Sequence, residues 1–561
     1  MDFMRQTPLL DQFLGDTLQP ENWQRYWQEQ RDSVQAMLED PALRARLGEN
    51  LEGLADGAPS PAGSAEAADK ESRFSDPVWE QNHYFAMLRQ SYLNTVRLSE
   101  EILDRHQFAS STEERQARFA MRQYLNAIAP TNSPLTNPEV LREILESGGK
   151  CLQRGWQNLL QDIADSPREL LRIRQSNPAQ FEVGTNLATT PGQVVYENPL
   201  LQLIEYSAST KTVYEKPLLL VPPFVNKYYV LDLDRKKSLV RWLVARGYRV
   251  FMISWVNPGP SLANTSLDDY VTEGVIEAIE SALAISGSET LNAAGYCTGG
   301  TLLSIAQAVL AARGHERLAS ISLLATQLDF SDPGELGVYL GEQLQALLQR
   351  FSERRGVFDG RLLTTAFNLL RENELFWPYV IKRYLLGQEP AAFDILHWNN
   401  DSTNIPQHML NHYVQAMYKD NLLVQANGLN IDDTAVDLAR ITVPAYCLAT
   451  RKDHIVSWQA AWRSSRYLGG PVRFVLGDSG HVAGVINPAQ GGKYAHWTCD
   501  RPTPDADSWL ANAEENSVSW WKDWNNWLKP LSGNRIAAPE IGSADYPALE
   551  TAPGRYVRVC C

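Results

Sequence analysis

The stretch Gly295-Tyr296-Cys297-Thr298-Gly299 decides how this chain is read. It has the glycine frame of a nucleophile elbow, G-x-S-x-G, with cysteine in the serine position. An apolar strand-like run, Leu291 to Ala294, precedes it, and a helix-like run, Thr301 to Ala312, follows. In that setting the turn presents a reactive side chain at the top of a sheet. The glycines let the backbone turn sharply and let strand and helix approach closely. A thiol at the apex is both a good nucleophile and a good leaving group. It suits repeated acyl transfer between thioesters better than simple hydrolysis. The competing reading is a small cysteine buried at a tight turn. Flanking glycines, with a strand before and a helix after, disfavour it.

Outward from the elbow, apolar runs of strand length recur: Pro217 to Val221, Arg249 to Trp255, Thr290 to Ala294, Leu318 to Ala325, Val443 to Thr450 and Val472 to Leu476. Helix-length segments such as Asp232 to Ala245 and Leu267 to Ile285 separate several of them. The alternation predicts an α/β domain with a parallel sheet and helices on both faces. With the elbow, it predicts an α/β-hydrolase fold over residues 181–561. The pattern breaks between about 330 and 440, a long aromatic-rich stretch between two core strands, which reads as a cap insertion over the active site. Residues 1–180 are mostly helical in pattern, with three- and four-residue apolar spacing in Val78 to Leu98 and Glu113 to Leu125. Residues 53–68, rich in Gly, Ala, Ser and Pro, read as a flexible linker. Asp76-Pro77 marks a helix start, with Asp76 capping and Pro77 in the first turn. No internal repeat is present.

The chain has 561 residues, of which 44% are hydrophobic and 21% charged, enough for two or more domains with sizeable cores. A net charge of -15 argues against non-specific nucleic-acid binding. Cys151, Cys297, Cys447, Cys499, Cys560 and Cys561 have no zinc-like spacing, so no metal site is expected. No signal peptide opens the chain and no apolar run has the length of a membrane span. A reducing cytoplasm is the expected location, and it keeps Cys297 a free thiol. Cys560-Cys561 is not a prenylation box and reads as an exposed tail.

A cysteine nucleophile needs a base, and the base needs an orienting partner. In this fold the order is nucleophile, acid, base, with the last two on loops after late strands. The run Val443 to Thr450 leads into Arg451-Lys452-Asp453-His454, and Val472 to Leu476 leads into Gly477-Asp478-Ser479-Gly480-His481. The expected set is therefore Cys297, Asp453 and His481. Asp478 also follows a late strand, but it lies too close to His481 along the loop and reads as a turn residue. His454 reads as loop-ordering. Two backbone N–H groups must hold the oxyanion. Thr298 supplies one, and Val225, in Pro222-Pro223-Phe224-Val225-Asn226-Lys227, is the candidate for the other. No substrate-binding residue can be assigned.

These residues resemble the polyhydroxyalkanoate synthases from about Phe74 to Val559. The matching stretches include Pro222 to Tyr229, Gly295 to Gly300, Phe393 to Asp401, Asp453-His454-Ile455-Val456, Ser479 to Pro488, His496-Trp497 and Pro553-Gly554-Arg555-Tyr556-Val557. The resemblance implies that Cys297 carries the growing chain and that His481 activates the thiol. It implies that Asp453 activates the monomer hydroxyl, directly or through His481. Trp398 matches a tryptophan linked to the dimer or cap region; packing in the cap core explains it equally well. The His481 loop and His496-Trp497 resemble the single-subunit class I enzymes, which take short monomers such as 3-hydroxybutyryl-CoA. The implied partners are 3-hydroxyacyl-CoA, the growing polyester, a second subunit, the granule surface and phasin-like proteins. The implied location is cytoplasmic, on polyester granules. Coenzyme A enters as part of the substrate, and no cofactor is implied. Two departures stand out: Val256 replaces a family arginine, and Ser457 replaces a proline and is expected to loosen the acid loop. A cysteine thioesterase of the same fold and a non-catalytic granule protein remain the alternatives.

Overall fold

The computed structural model describes residues 72–166, 171–341, 355–491 and 493–561. The proposed linker at 53–68 lies outside them. The chain forms two compact units, Met1–Arg174 with Arg371–Pro390, and Gln175–Leu370 with Ala391–Cys561. The first unit takes in Arg371–Pro390, twenty residues from within the stretch read as a cap.

That first unit is built from α1 (His83–Arg105), α2 (Ser111–Ala127), α3 (Pro138–Ser147) and α4 (Lys150–Asp165). Asp76 accepts from Val78 N–H at 2.9 Å, as a capping aspartate should. The helix expected over Val78 to Leu98 breaks at Asn82, whose backbone is extended and whose side chain caps α1 through Tyr84 N–H. The reason Arg371–Pro390 belongs here is specific. Arg383, buried, makes a fork of hydrogen bonds of 2.7 and 2.8 Å to Asp162 of α4. Tyr384 donates to the same carboxylate at 2.8 Å. A side chain at Gly155 would overlap the Tyr384 carbonyl, so only glycine allows that approach.

The second unit holds an eleven-stranded sheet. Its strands are β1 (Gly192–Glu197), β2 (Leu201–Tyr206), β3 (Leu218–Val221), β4 (Val250–Trp255), β5 (Leu291–Tyr296), β6 (Leu318–Leu324), β7 (Ala445–Thr450), β8 (Val472–Gly477), β9 (His496–Thr498), β10 (Glu514–Asn516) and β11 (Glu550–Thr551). Their spatial order is β10-β9-β8-β7-β6-β5-β3-β4-β2-β1-β11. The six strands from β8 to β4 run parallel, and the remainder pair antiparallel at the two edges. Largely apolar runs in β3, β4, β5 and β7, buried along their whole length, follow from burial on both faces. Helices α5 (Leu239–Val244), α6 (Glu277–Ser286), α7 (Thr298–Ala312), α8 (Asp394–Asn400), α9 (Gln407–Tyr413), α10 (Trp458–Ser465) and α11 (Trp520–Leu528) belong to this unit. Among the described residues, no helix is long and apolar enough to cross a membrane.

The helix expected over Asp232 to Ala245 is shorter, because Asp232 and Asp234 satisfy themselves locally. Asp232 accepts from Thr190 and Ser238 hydroxyls at 2.6 and 2.5 Å. Asp234 accepts from Lys236 and Lys237 N–H at 2.7 Å each. Short polar side chains that bond nearby backbone compete with helix. Among the described residues, the insertion between β6 and β7 is mostly helical, with a hairpin at Leu429–Ile431 and Thr434–Val436 and a short antiparallel pair of Val357–Phe358 with Ile405–Pro406.

Candidate active site

Three strand ends meet at the carboxyl edge of the sheet. β5 ends at Tyr296 and α7 starts at Thr298, so Cys297 alone forms the turn, with φ 52 and ψ -125. A non-glycine residue at positive φ is strained. The strain is held by Cys297 N–H donating to Leu324 O at 2.9 Å and by Gly300 N–H returning to Cys297 O at 2.9 Å. Each flanking glycine is required by contact. A Cβ at Gly295 would strike Gly300, one at Gly299 would strike the Val221 and Pro222 carbonyls, and one at Gly300 would strike Thr326. Gly299 therefore sets the distance between the start of α7 and the loop that follows β3.

Asp453 follows β7 and His481 follows β8. The His481 Nδ1–H donates to Asp453 Oδ2 at 2.7 Å, with the carboxylate side chain wholly buried. The other carboxylate oxygen accepts from Ile455 and Val456 N–H at 2.9 and 3.0 Å. Nδ1 is thus engaged, which leaves Nε2 for Cys297, a group that bears on the charge of the ring. Burial works against a charged His481, yet the Asp453 carboxylate and Cys297 outweigh it and hold the imidazole well above its ordinary range. Burial likewise opposes a charged Asp453, but His481 and the backbone donors keep its carboxyl below the usual value. The coupling favours an imidazolium held against the Asp453 carboxylate.

The remaining sequence candidates fall into place around this chain of bonds. Asp478 does not touch His481; its nearest ion-pair partner is Lys452 at 3.6 Å. Trp398 is buried, and its indole N–H donates to Lys227 O at 2.7 Å, so it packs within the catalytic unit. Ser457, in the acid loop, caps α10 with its hydroxyl through Ala460 N–H. Cys560 is exposed, but Cys561 is half-buried, with its thiol against Ser402 O at 3.0 Å. Cys447 in β7 is fully buried, which pushes its thiol up to about 12 and leaves it inert. Among the described residues, no acceptor engages the backbone N–H of Thr298 or Val225.

Several supporting residues were absent from the sequence reading. Tyr296, inside the elbow, stacks on the His481 ring with centroids 5.4 Å apart and donates its hydroxyl to His481 O at 3.1 Å. Trp520 and Trp521 of α11 donate their indole N–H groups to Gly484 O and Val485 O at 3.0 and 2.9 Å. Ser519 donates to Asn487 O. On the cap side, the Tyr413 and Tyr418 rings lie against each other, with centroids 6.3 Å apart. Phe330 contacts both rings, and Phe224 contacts Tyr413. The doubled tryptophan was the one available signal, since two adjacent indoles need two buried acceptors.

Comparison with known proteins shows the fold and the family. Residues 70–243 match the family model described as poly-beta-hydroxybutyrate polymerase (PhaC) N-terminus. Residues 216–488 match the alpha/beta hydrolase fold model. The chain is 42% identical over 504 residues to a poly(3-hydroxyalkanoate) polymerase subunit of Cupriavidus necator, covering 88% of this chain and 85% of that protein. It is 39% identical to a poly(3-hydroxyalkanoate) polymerase of Methylorubrum extorquens, covering 87% and 81%. It is 36% identical to poly(3-hydroxyalkanoate) polymerase 1 of Ectopseudomonas oleovorans, covering 87% and 86%.

Proposed function

The chain belongs to the poly(3-hydroxyalkanoate) polymerase family, and on that premise we propose that it joins (R)-3-hydroxyacyl-CoA units into a polyester through an acyl group held on Cys297. The observation that carries the mechanism is the buried Asp453–His481 bond beside the Cys297 turn. His481 takes the Cys297 proton, and the thiolate attacks the thioester carbonyl of the substrate. The N–H groups of Thr298 and Val225 hold the oxyanion. The bond to CoA breaks, and CoA leaves as a thiol with the proton from His481. A 3-hydroxyl of a second unit then attacks the Cys297 thioester. His481, oriented by Asp453, removes its proton, an ester bond forms and Cys297 is freed.

Short units such as 3-hydroxybutyryl-CoA are the substrates that the family resemblance favours, and Tyr413, Tyr418, Phe330 and Phe224 form an aromatic cluster on the cap side. Coenzyme A arrives with the substrate, and no other cofactor enters these steps. The family resemblance extends the proposal to a homodimer on cytoplasmic granules with phasin-like proteins, which light scattering and fluorescence co-localisation test.

Product analysis decides between acceptors. With 3-hydroxybutyryl-CoA the expected products are polymer and CoA; free hydroxyacid alone would mean a thioesterase. Cys297→Ala should lose CoA release and polymer together, a fall of at least about 10⁴-fold given what nucleophile removal costs such enzymes. Polymer made by that variant would refute the covalent route.

A further inference from the structure

We propose that Lys227 is a positioning residue for the oxyanion site, coupling the segment Pro553 to Val559 to the loop that carries Val225. The proposal rests on the assignment of Val225 above. Lys227 is 3% exposed. Its ammonium donates to Val557 O at 3.1 Å and to Val559 O. Among the described residues, no carboxylate lies within ion-pair distance of it. A buried ammonium is costly unless hydrogen-bonded, and this one is satisfied only while the 557–559 backbone is in place. The same residue is held from the other side, since its carbonyl accepts from the Trp398 indole at 2.7 Å.

The segment that receives the ammonium is itself anchored. Tyr556 donates its hydroxyl to Asn198 O at 2.9 Å, in the turn between β1 and β2. Arg555 forms ion pairs with Glu197 and with Glu550, the latter at 2.8 Å. Asn257 Nδ2 donates to Val559 O at 3.4 Å. At the other end of the loop, the carbonyls of Val221 and Pro222 lie against Gly299. Val225 is thus suspended between the start of α7 and Lys227. Without the ammonium, the loop keeps its contact with α7, the Trp398 bond to Lys227 O and the Asn226–Ser402 bridge, but loses its link to the 557–559 backbone. The Val225 N–H would then drift from the point where the oxyanion develops. Displacement of about 1 Å costs on the order of 10²-fold in rate.

The test is Lys227→Met in the full chain, with three readouts: kcat and KM for CoA release from 3-hydroxybutyryl-CoA, the rate of Cys297 alkylation by iodoacetamide, and the melting temperature. The expected result is a kcat lower by about tenfold or more, with KM and alkylation rate within about twofold of the parent. A folded variant with parental kcat overturns the proposal. So does an alkylation rate that falls as far as kcat, because that reports damage to Cys297 and His481 rather than to the oxyanion site. If Lys227→Met does not fold, Tyr556→Phe loosens the same segment more gently. It should lower kcat by about threefold with alkylation unchanged, and an unaltered kcat overturns the proposal. CoA release is common to polymerase and thioesterase, so these outcomes are independent of whether the parent makes polymer.

Discussion

The Cys297 turn and the His481 loop sit at neighbouring strand ends, yet they are held in place by opposite means. The turn is rigid because side chains are missing. Gly295, Gly299 and Gly300 let β5, α7, the Pro222 carbonyl and Thr326 close in until no Cβ fits. The histidine loop is rigid because side chains are large. Tyr296, Trp520 and Trp521 donate to the carbonyls of His481, Gly484 and Val485. Tyr296 belongs to both, being part of the turn while holding the loop. A nucleophile that must stay strained is fixed by close backbone packing, which leaves no slack. A base that must receive and return a proton is fixed by hydrogen bonds to its backbone and by Asp453 at Nδ1, which leave Nε2 for chemistry.

Gly299→Ala should produce the largest effect on this contrast. The added methyl meets two backbone carbonyls, and backbone cannot rotate aside. Overpacking of this kind costs roughly 1–3 kcal/mol of stability, and the displaced α7 terminus should lower kcat by about 10²-fold. Thermal melting and CoA release measure both. An alanine variant with parental kcat would show that the turn tolerates slack. Trp520→Phe and Trp521→Phe should do less. Trp520→Phe leaves the Gly484 carbonyl without its donor, for a loss of about 1–3 kcal/mol, whereas Val485 O keeps its bond from Asn487 N–H at 3.0 Å, so Trp521→Phe should cost less. The double variant should lose kcat while keeping its iodoacetamide rate at saturating pH, because the thiol turn is untouched.

The same contrast explains what could be read from the sequence. The glycine-built turn is local: five consecutive residues reveal it, and Cys297, Asp453 and His481 follow from chain order and strand ends. Support from Trp520 and Trp521 crosses 36 positions of sequence, and nothing in the intervening residues announces it. The outer strands β1, β2, β9, β10 and β11 were missed for a related reason. They are short or mix polar with apolar residues, and their pairing is set by neighbours rather than by pattern. The insertion was legible as a break in alternation. Its division, with Arg371–Pro390 packed among the N-terminal helices, depends on single contacts such as Arg383 with Asp162. No periodicity predicts a contact of that kind.

Protonation separates the two regions further. The folded state raises His481 above its ordinary value of 6.5, so its stabilising contribution is complete below that pH and is lost as pH rises through the folded value. Asp453 is lowered from 3.8, so its contribution is present above that pH and lost as pH falls through the folded value. The melting temperature should therefore decline on both sides of a plateau. His481→Gln should flatten the alkaline side by a few degrees, while Trp520→Phe should lower the whole curve without changing its shape. A scan of melting temperature against pH distinguishes them.

The smallest expected effect concerns Thr298. Its hydroxyl is buried without a partner, although its N–H is the one assigned to the oxyanion. An unsatisfied buried hydroxyl costs stability, and replacing it by a methyl of the same shape removes that cost. Thr298→Val should thus stabilise the chain by about 1 kcal/mol and leave kcat unchanged, because the backbone donor is retained. A fall in kcat would mean that the hydroxyl itself reaches the reacting group. The elbow would then depend on a side chain, as the histidine loop does, and the distinction between the two would fail at the position next to the nucleophile.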